Sequence, residues 1–184
     1  FATLISAGAG TMAQGLPISE IWHHHAHAGA LAAEHPAMDD WLMLTWDGVG
    51  LGPDGLLWGG EALRGKPGHW QSVARLRPFR LPGGEAASRE LWRSAAGLLW
   101  ESEMETPQWH PQQSLLHTAW CKGLNSPLTT AAGRLFDGAA ALLGLCQTAS
   151  FEGEGPMRLQ ALAESAEDGP YWPVNWQEQD GIWT

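Results

Sequence analysis

Two apolar segments joined by a glycine-rich connection constrain the fold most strongly. The segments are WLMLTW at 41–46 and LLWGGEAL at 56–63, and the connection DGVGLGPDG at 47–55 holds four glycines and one proline. Apolar runs bounded by glycine, proline and aspartate predict a β-hairpin, with the whole of 47–55 as its turn. Gly59 and Gly60 indicate a bulge or a close backbone approach in the returning strand.

Helical periodicity and capping signals surround this hairpin, and a third strand is predicted at 70–76. Helices are predicted at 1–14, at 20–34 with Ser19 as N-cap, after a loop at 80–88, at 112–122, from Thr129 or Thr130 to 143, and at 156–163 after a tight loop at 151–155. The predicted apolar faces are Leu91, Ala95, Leu98 and Leu99 in the third of these helices and Leu135, Phe136, Ala139, Ala140 and Leu143 in the fifth. A hairpin followed by several helices predicts an α/β or α+β class.

Composition excludes several classes of partner. The net charge of −10 argues against binding to a phosphate backbone, which needs clustered Lys and Arg. The chain has no apolar run near the ~18 residues of a membrane helix, and we see no signal peptide. Cys121 and Cys146 are 25 residues apart, which indicates a reducing, cytoplasmic setting. Because the chain begins and ends within patterned segments, we expect it to be a piece of a larger protein.

Four histidines lie within five positions, at His23, His24, His25 and His27. On a helix His23 and His27 share a face, so their rings can converge on one ion, and neutral imidazole suits Fe²⁺, Zn²⁺ and Ni²⁺. His24 and His25 point elsewhere, as outer-shell donors or into solvent. The alternative is a polar helix face with incidental histidines. Two ligands do not complete a site, so a third ligand, typically a carboxylate, has to come from elsewhere.

Two further signals are compatible with phosphate or nucleotide chemistry. A carboxylate followed by glycines, as at Asp47 and Gly48, lets backbone N–H groups approach a phosphate and places the carboxylate near a metal or its waters. Asp137 closes AAGRLFD at 131–137, at the polar edge of its helix. It is interpreted either as a surface residue with an i,i+4 contact or as a hydrogen-bond partner of ribose hydroxyls.

Five ordered motifs together resemble the HypF carbamoyltransferases, which are hydrogenase maturation factors. They are HHHAH at 23–27, DGVGLGPDGLLWGGE at 47–61, LPGGEAA at 81–87, AAGRLFDGAAALLG at 131–144 and FEGEG at 151–155. The TsaD-type tRNA threonylcarbamoyltransferases are similar more distantly. The resemblance implies an actin-like, Hsp70-like ATPase architecture of two ribonuclease-H-like lobes, incomplete at both ends here. Residues 1–37 then end the first lobe, and 38–184 begin the second.

The resemblance also implies roles for particular residues. His23 and His27 are implied ligands of a divalent metal, iron or zinc, with an aspartate outside this chain as third ligand. The other implied site residues bind nucleotide: the hairpin residues Asp47, Gly48 and Gly50 at the phosphates, Asp137 at the ribose, and Glu152 and Gly153 nearby. No catalytic residue is assigned.

The activity implied by the resemblance starts from ATP and carbamoyl phosphate, which give carbamoyl-adenylate. The carbamoyl group then moves to the C-terminal cysteine of a partner, HypE, and becomes the cyanide ligand of nickel–iron hydrogenase. Because parts of the family architecture are missing, we expect the 184-residue chain alone to be inactive. A metal-binding module and a small-molecule kinase or ATPase on the same fold stay open as alternatives.

Overall fold

The computed structural model describes residues 20–167, 169–171 and 173–184. The helix predicted at 1–14 and the Ser19 cap lie outside these residues. The helices are α1 (His23–Glu34), α2 (Trp92–Glu101), α3 (Gln113–Cys121), α4 (Ala132–Leu142) and α5 (Glu154–Glu164), with a 3-10 helix at Gly84–Ser88. The strands are β1 (Trp41–Leu51), β2 (Leu57–Lys66), β3 (His69–Arg75), β4 (Phe79–Arg80), β5 (Leu128–Thr129), β6 (Glu178–Gln179) and β7 (Ile182–Trp183).

The predicted hairpin is confirmed, because β1 and β2 pair antiparallel from Trp41↔Gly65 to Leu51↔Leu57. The prediction that all of 47–55 forms the turn is wrong. After a register shift between Trp46 and Gly50 the strands pair again, so β1 includes the Asp-Gly segment. Glycines keep both backbone hydrogen-bonding groups and therefore stay compatible with a ladder, while the bulge bends the strand at this point.

Strand β2 occupies the centre of one mixed sheet. It pairs with β1 along one edge and, along the other, antiparallel with β3 and parallel with β5. Short strands extend the sheet, with β4 antiparallel to β5, β7 parallel to β3 and β6 antiparallel to β7. Helix α1 covers the hairpin and forms a core cluster with it, made of Ala28, Ala32, Met43, Trp58 and Leu63. The structure is thus mixed α/β, as predicted.

The predicted apolar faces of α2 and α4 are confirmed in part, because Leu91, Ala95 and Ala140 are buried. Phe136 and Leu143 are exposed, whereas Arg134 and Asp137 are buried. A Cβ on Gly138 would lie 2.7 Å from the Leu98 side chain, so glycine is needed for the helices to approach this closely. The close approach buries the neighbouring polar positions, and the placing of Asp137 at a polar edge is therefore wrong.

Three predicted helix starts are also corrected. Helix α1 begins at His23 rather than at residue 20. Helix α4 has no side-chain cap, because the hydroxyls of Thr129 and Thr130 donate instead to the Leu57 carbonyl and to Glu61. Helix α5 begins at Glu154, within the predicted loop and two residues before Pro156. Within the described part of the chain, no helix combines the length and the apolar character needed to cross a bilayer.

Candidate metal and phosphate site

Helix α1 and strand β1 bring three potential metal ligands together. The Nε2 atoms of His23 and His27 are 3.1 Å apart, one helical turn from each other. Asp47 Oδ2 lies 2.6 Å from His23 Nε2 and 3.7 Å from His27 Nε2. Ligand atoms about 2.0–2.2 Å from a common ion are about 3–4 Å from one another. The donor set therefore fits a divalent ion with little rearrangement.

The bulge in β1 orients the Asp47 carboxylate towards these histidines. The Gly48 N–H donates to Oδ1 at 2.6 Å, which leaves Oδ2 facing α1. Burial alone would raise the pKa of Asp47, but the hydrogen bonds from Gly48 and His23 bring it below its ordinary value. Asp47 is thus an ionised carboxylate at neutral pH. The sequence placed this carboxylate near a metal or its waters as well as near phosphates, and the structure places it against the histidine pair.

Gly50 sets the distance between α1 and β1. A Cβ at this position would lie 2.6 Å from His23 Cδ2 and 2.7 Å from His24 Cε1, inside van der Waals contact. Only glycine therefore permits this packing without a shift. Gly50, which the resemblance assigns to the nucleotide phosphates, lies against His23 and His24.

His24 is fully buried beside the cluster, so the solvent-exposed alternative is wrong and the outer-shell alternative is left. Both of its ring nitrogens lack a hydrogen-bond partner among the described residues, and Nε2 is 3.9 Å from Asp47 Oδ2. Burial, reinforced by the charge of His23, lowers the pKa of His24 to about 4, so the ring is neutral at pH 7. His25 is half-buried next to Trp58, and burial lowers its pKa as well.

A cleft of about 240 Å³ opens beside the His–Asp cluster, which consists of His23, His27 and Asp47. Its walls include His24, His27 and Asp47 on one side and the β1 residues Leu44 and Trp46 on the other. The cleft gives a small ligand access to the His–Asp cluster.

The start of α4 packs directly on the Asp47-Gly48 segment. A Cβ on Gly133 would lie 2.9 Å from Gly48 Cα, and a Cβ on Gly59 would lie 2.6 Å from the Asp47 carbonyl oxygen. Glycine at these positions lets three backbone segments, from β1, β2 and α4, meet without side chains between them. The first turn of α4, with backbone N–H groups free of intrahelical partners, therefore faces the bulge.

Arg134 and Asp137 extend the site from the first turn of α4. Arg134 Nη2 lies 3.0 Å from Asp137 Oδ2. Among the described residues other than the chain neighbours of Gly48, it is the only heavy atom within 4 Å of a Cβ built on Gly48. Burial raises the pKa of Asp137 to about 6, opposed by the Arg134 charge. A Cβ on Gly155 would lie 3.2 Å from Asp137 Oδ1, so α5 covers this carboxylate.

The predicted loop residues Glu152 and Gly153 precede α5. Glu152 is exposed, and Gly153 is the N-cap with φ 82°, a conformation that favours glycine. The neighbouring Glu154 carboxylate accepts hydrogen bonds from the Ser150 N–H, the Ser150 hydroxyl and Arg158 Nη2. Gly155 connects this segment to Asp137, whereas the His–Asp cluster lies on the other side of the Asp47-Gly48 bulge.

Sequence reasoning missed Glu61, which holds the framework of the site together. It is 1% exposed and accepts hydrogen bonds from the Gly59 and Gly60 N–H groups at 2.8 and 2.9 Å and from the Thr130 hydroxyl. Burial raises the pKa of Glu61, an effect that these donors oppose. The carboxylate thereby joins β2 to the segment entering α4. The available signal was a charged residue directly after a glycine pair in an apolar strand.

Comparisons with known proteins place this arrangement in a family. The chain is 41% identical over 162 residues to the carbamoyltransferase HypF2 of Cupriavidus necator and 42% identical over 166 residues to the carbamoyltransferase HypF of Rhodobacter capsulatus. Each match covers 85% of this chain, but the chain spans only about a fifth of the length of either relative.

Solved structures show the same fold. The crystal structure of full-length HypF in the phosphate- and nucleotide-bound form matches 92% of this chain and 23% of its own, with a TM-score of 0.82 at 29% identity. The structure of T. kodakarensis HypF matches 97% of this chain and 26% of its own, with a TM-score of 0.80 at 25% identity. The family model described as the carbamoyltransferase, Kae1-like domain, second subdomain, matches residues 43–184, and the chain belongs to this family.

Proposed function

We propose that the protein containing this chain is a carbamoyltransferase of nickel–iron hydrogenase maturation. It takes the carbamoyl group of carbamoyl-adenylate, formed from carbamoyl phosphate and ATP, and transfers it to the C-terminal cysteine of HypE for cyanide synthesis. The relatives named carbamoyltransferases and the similarity to a phosphate- and nucleotide-bound HypF support this proposal. The observation that carries it is the convergence of His23, His27 and Asp47 beside Gly48 and Arg134.

We assign His23, His27 and Asp47 as the residues that would hold an iron or zinc ion. Their donor atoms lie within 4.8 Å of one another, and imidazole with carboxylate suits either metal. Such an ion supplies a Lewis acid that polarises a phosphoryl or carbonyl oxygen. An imidazole holds such an ion through an unprotonated ring nitrogen.

The other proposed binding residues surround the phosphate side of the cluster. Gly48 has no side chain between the backbone of the bulge and Arg134, which adds a positive charge there. Gly50 sets the distance between α1 and β1. We keep Asp137, Glu152 and Gly153 as nucleotide-binding residues. Asp137 contacts Arg134, and the other two residues lead directly into α5, which packs against Asp137.

The chemistry requires a dry site rather than a nucleophile on this chain. Carbamoyl-adenylate is an activated anhydride that water hydrolyses, so bound phosphate oxygens and exclusion of water both favour productive transfer. The attacking thiolate belongs to the acceptor cysteine. The match of the second-subdomain model from residue 43 supports a proposed boundary between lobes near residue 37. We also propose a cytoplasmic setting, supported by the two free thiols, Cys121 and Cys146.

One alternative has an observation of its own. A metal-binding module without transferase activity needs only the His–Asp cluster, which is already assembled in this structure. Metal stoichiometry without any nucleotide affinity would favour this alternative.

The test is the transfer reaction itself. The complete gene product that contains this chain is incubated with ATP, carbamoyl phosphate, Fe²⁺ or Zn²⁺ and a peptide ending in cysteine, and thiocarboxamide is measured by mass spectrometry. We expect product from the wild type, loss of product with His23→Ala, and retention with His25→Ala, a matched variant from the same histidine run. The 184-residue chain alone should give none. Equal product from His23→Ala and the wild type would contradict the proposal.

A further inference from the structure

Arg134 is a buried cation whose hydrogen-bonding capacity is largely unused. The residue is 9% exposed, and its Nε has no hydrogen-bond partner among the described residues. Asp137 Oδ2 lies 3.0 Å from Arg134 Nη2 but also lacks an aligned hydrogen bond. A guanidinium carries five N–H donors, and a buried charge is costly when these stay unsatisfied. The two side chains therefore interact by charge attraction, without an aligned hydrogen bond between them.

The other arginine–carboxylate pairs in the described part of the chain differ in this respect. Each of those four makes an aligned hydrogen bond, at Arg64–Asp40, Arg75–Asp54, Arg93–Glu90 and Arg158–Glu154. Their arginine side chains are 17–67% exposed, whereas that of Arg134 is 10% exposed. The most buried arginine pair is thus the one with the poorest hydrogen bonding, the reverse of what a purely structural ion pair requires.

The guanidinium faces a space that a side chain on residue 48 would fill. Apart from its chain neighbours Asp47 and Val49, the described residues would offer a Cβ built on Gly48 one heavy atom within 4 Å, Arg134 Nη2 at 3.7 Å. Asp47, next in the chain, carries the carboxylate of the His–Asp cluster. An anion seated against Gly48 would therefore meet Arg134 on one side and border the cluster on the other. Phosphate oxygens match the planar fork of a guanidinium.

We propose that Arg134 binds a phosphoryl group seated against Gly48, and that Asp137 is a positioning residue that holds the guanidinium there. The inference rests on the proposed function and names the phosphate-binding residue of that site. Asp137 then acts through Arg134, not by the direct ribose contact that the resemblance implies. The pKa of Asp137, raised to about 6 by burial despite the adjacent Arg134, supports an incompletely compensated pair.

The test measures binding of pyrophosphate and of ADP by calorimetry, with the complete gene product. The main variant combines Arg134→Gln with Asp137→Asn, which removes both buried charges and leaves neither one alone. We expect its affinity for both probes to fall roughly tenfold or more, because charge-assisted hydrogen bonds to phosphate are lost. Arg134→Lys should give a smaller loss, since lysine keeps the charge without the fork.

Single variants separate the role of Asp137 from that of a ribose contact. Asp137→Asn should weaken pyrophosphate and ADP alike, because it loosens Arg134. A ribose contact predicts weaker ADP binding with unchanged pyrophosphate binding, which would overturn the positioning role. Arg64→Gln, from an exposed pair, serves as the matched control and should bind both probes normally. Thermal unfolding of each variant verifies that it is folded.

The remaining outcomes distinguish failure of the role of Arg134 from failure of the proposed function. If the wild type binds neither probe, the nucleotide part of the proposed function fails and the inference fails with it. If the wild type binds both and the folded double variant binds pyrophosphate equally well, the role of Arg134 is refuted while the proposed function stands.

Discussion

Two carboxylates near the Asp47-Gly48 bulge have pKa values shifted in opposite directions, although burial raises the pKa of both. Asp47 is one-third exposed and close to His23, and hydrogen bonds hold its pKa below the ordinary value. Asp137 is 4% exposed with no aligned hydrogen bond, and burial raises its pKa to about 6. The difference shows that hydrogen bonding, rather than the nearest charge, decides which carboxylate stays ionised. Asp47 is ready to bind a cation, whereas the charge of Asp137 is opposed by burial and favoured by Arg134 alone.

The same contrast extends to the response to acid. His24 binds fewer protons in the folded than in the unfolded protein between pH 4 and 6.5, so its contribution to stability is lost as the pH falls through this window. Asp137 binds more protons in the folded protein between about pH 3.8 and 6, so the fold gains stability as the pH falls. The two regions therefore oppose each other in mildly acidic solution.

Replacing His24 should have the largest effect on this balance. His24→Phe removes the buried base, and we expect it to reduce acid destabilisation between pH 6.5 and 4 by about 3 kcal/mol, since each pKa unit corresponds to about 1.4 kcal/mol. Urea unfolding at pH 6.5 and pH 4, with chelator present, measures the loss of stability in the variant and in the wild type. An unchanged pH dependence would show that His24 is not held neutral by burial.

Replacing Asp137 should change stability in the opposite direction and by a smaller amount. Asp137→Asn removes the carboxylate that resists ionisation, so the gain in stability on acidification from pH 6 to 4 should shrink by about 2 kcal/mol relative to the wild type. The same unfolding experiment applies. Equal pH dependence in the variant and the wild type would argue that Arg134 compensates the charge fully.

Gly50 provides a smaller test of the His–Asp side. Gly50→Ala forces a methyl group against His23 and His24, and we expect about 1–3 kcal/mol of destabilisation together with weaker metal binding. Gly29 in α1 is the matched control, because a Cβ added there would have no heavy atom of the described residues outside its own helix backbone and chain neighbours within 4 Å. Alanine at this position should stabilise the helix by up to about 1 kcal/mol. Thermal unfolding measures both. A neutral Gly50→Ala would mean that α1 and β1 can separate without cost.

Local patterns predicted part of this structure well. The apolar runs at 41–46 and 56–63 gave the hairpin, and helical periodicity brought His23 and His27 onto one face. These features depend only on neighbours within one element or across one turn. They required no knowledge of how distant segments pack.

Tertiary contacts account for what the sequence could not predict. Gly50 lets α1 pack closely on β1, which sets the 2.6 Å distance between Asp47 Oδ2 and His23 Nε2, and no spacing rule predicts such a distance. Asp137 is buried because Gly138 admits α2, although helical periodicity alone puts a carboxylate on the polar side. Glu61 was overlooked because its role depends on the hydrogen bonds it accepts from the Gly59 and Gly60 N–H groups and from the Thr130 hydroxyl.

The most direct test of the central claim is the affinity of the folded protein for Zn²⁺, measured by calorimetry in the complete gene product. We predict one ion per chain and a loss of more than about 100-fold in affinity for His27→Ala and for Asp47→Asn, beyond the loss typical of an outer-shell partner. His25→Ala, outside the cluster, should bind as the wild type does. Wild-type affinity in Asp47→Asn, or an equal loss in His25→Ala and His27→Ala, would contradict a site built from His23, His27 and Asp47.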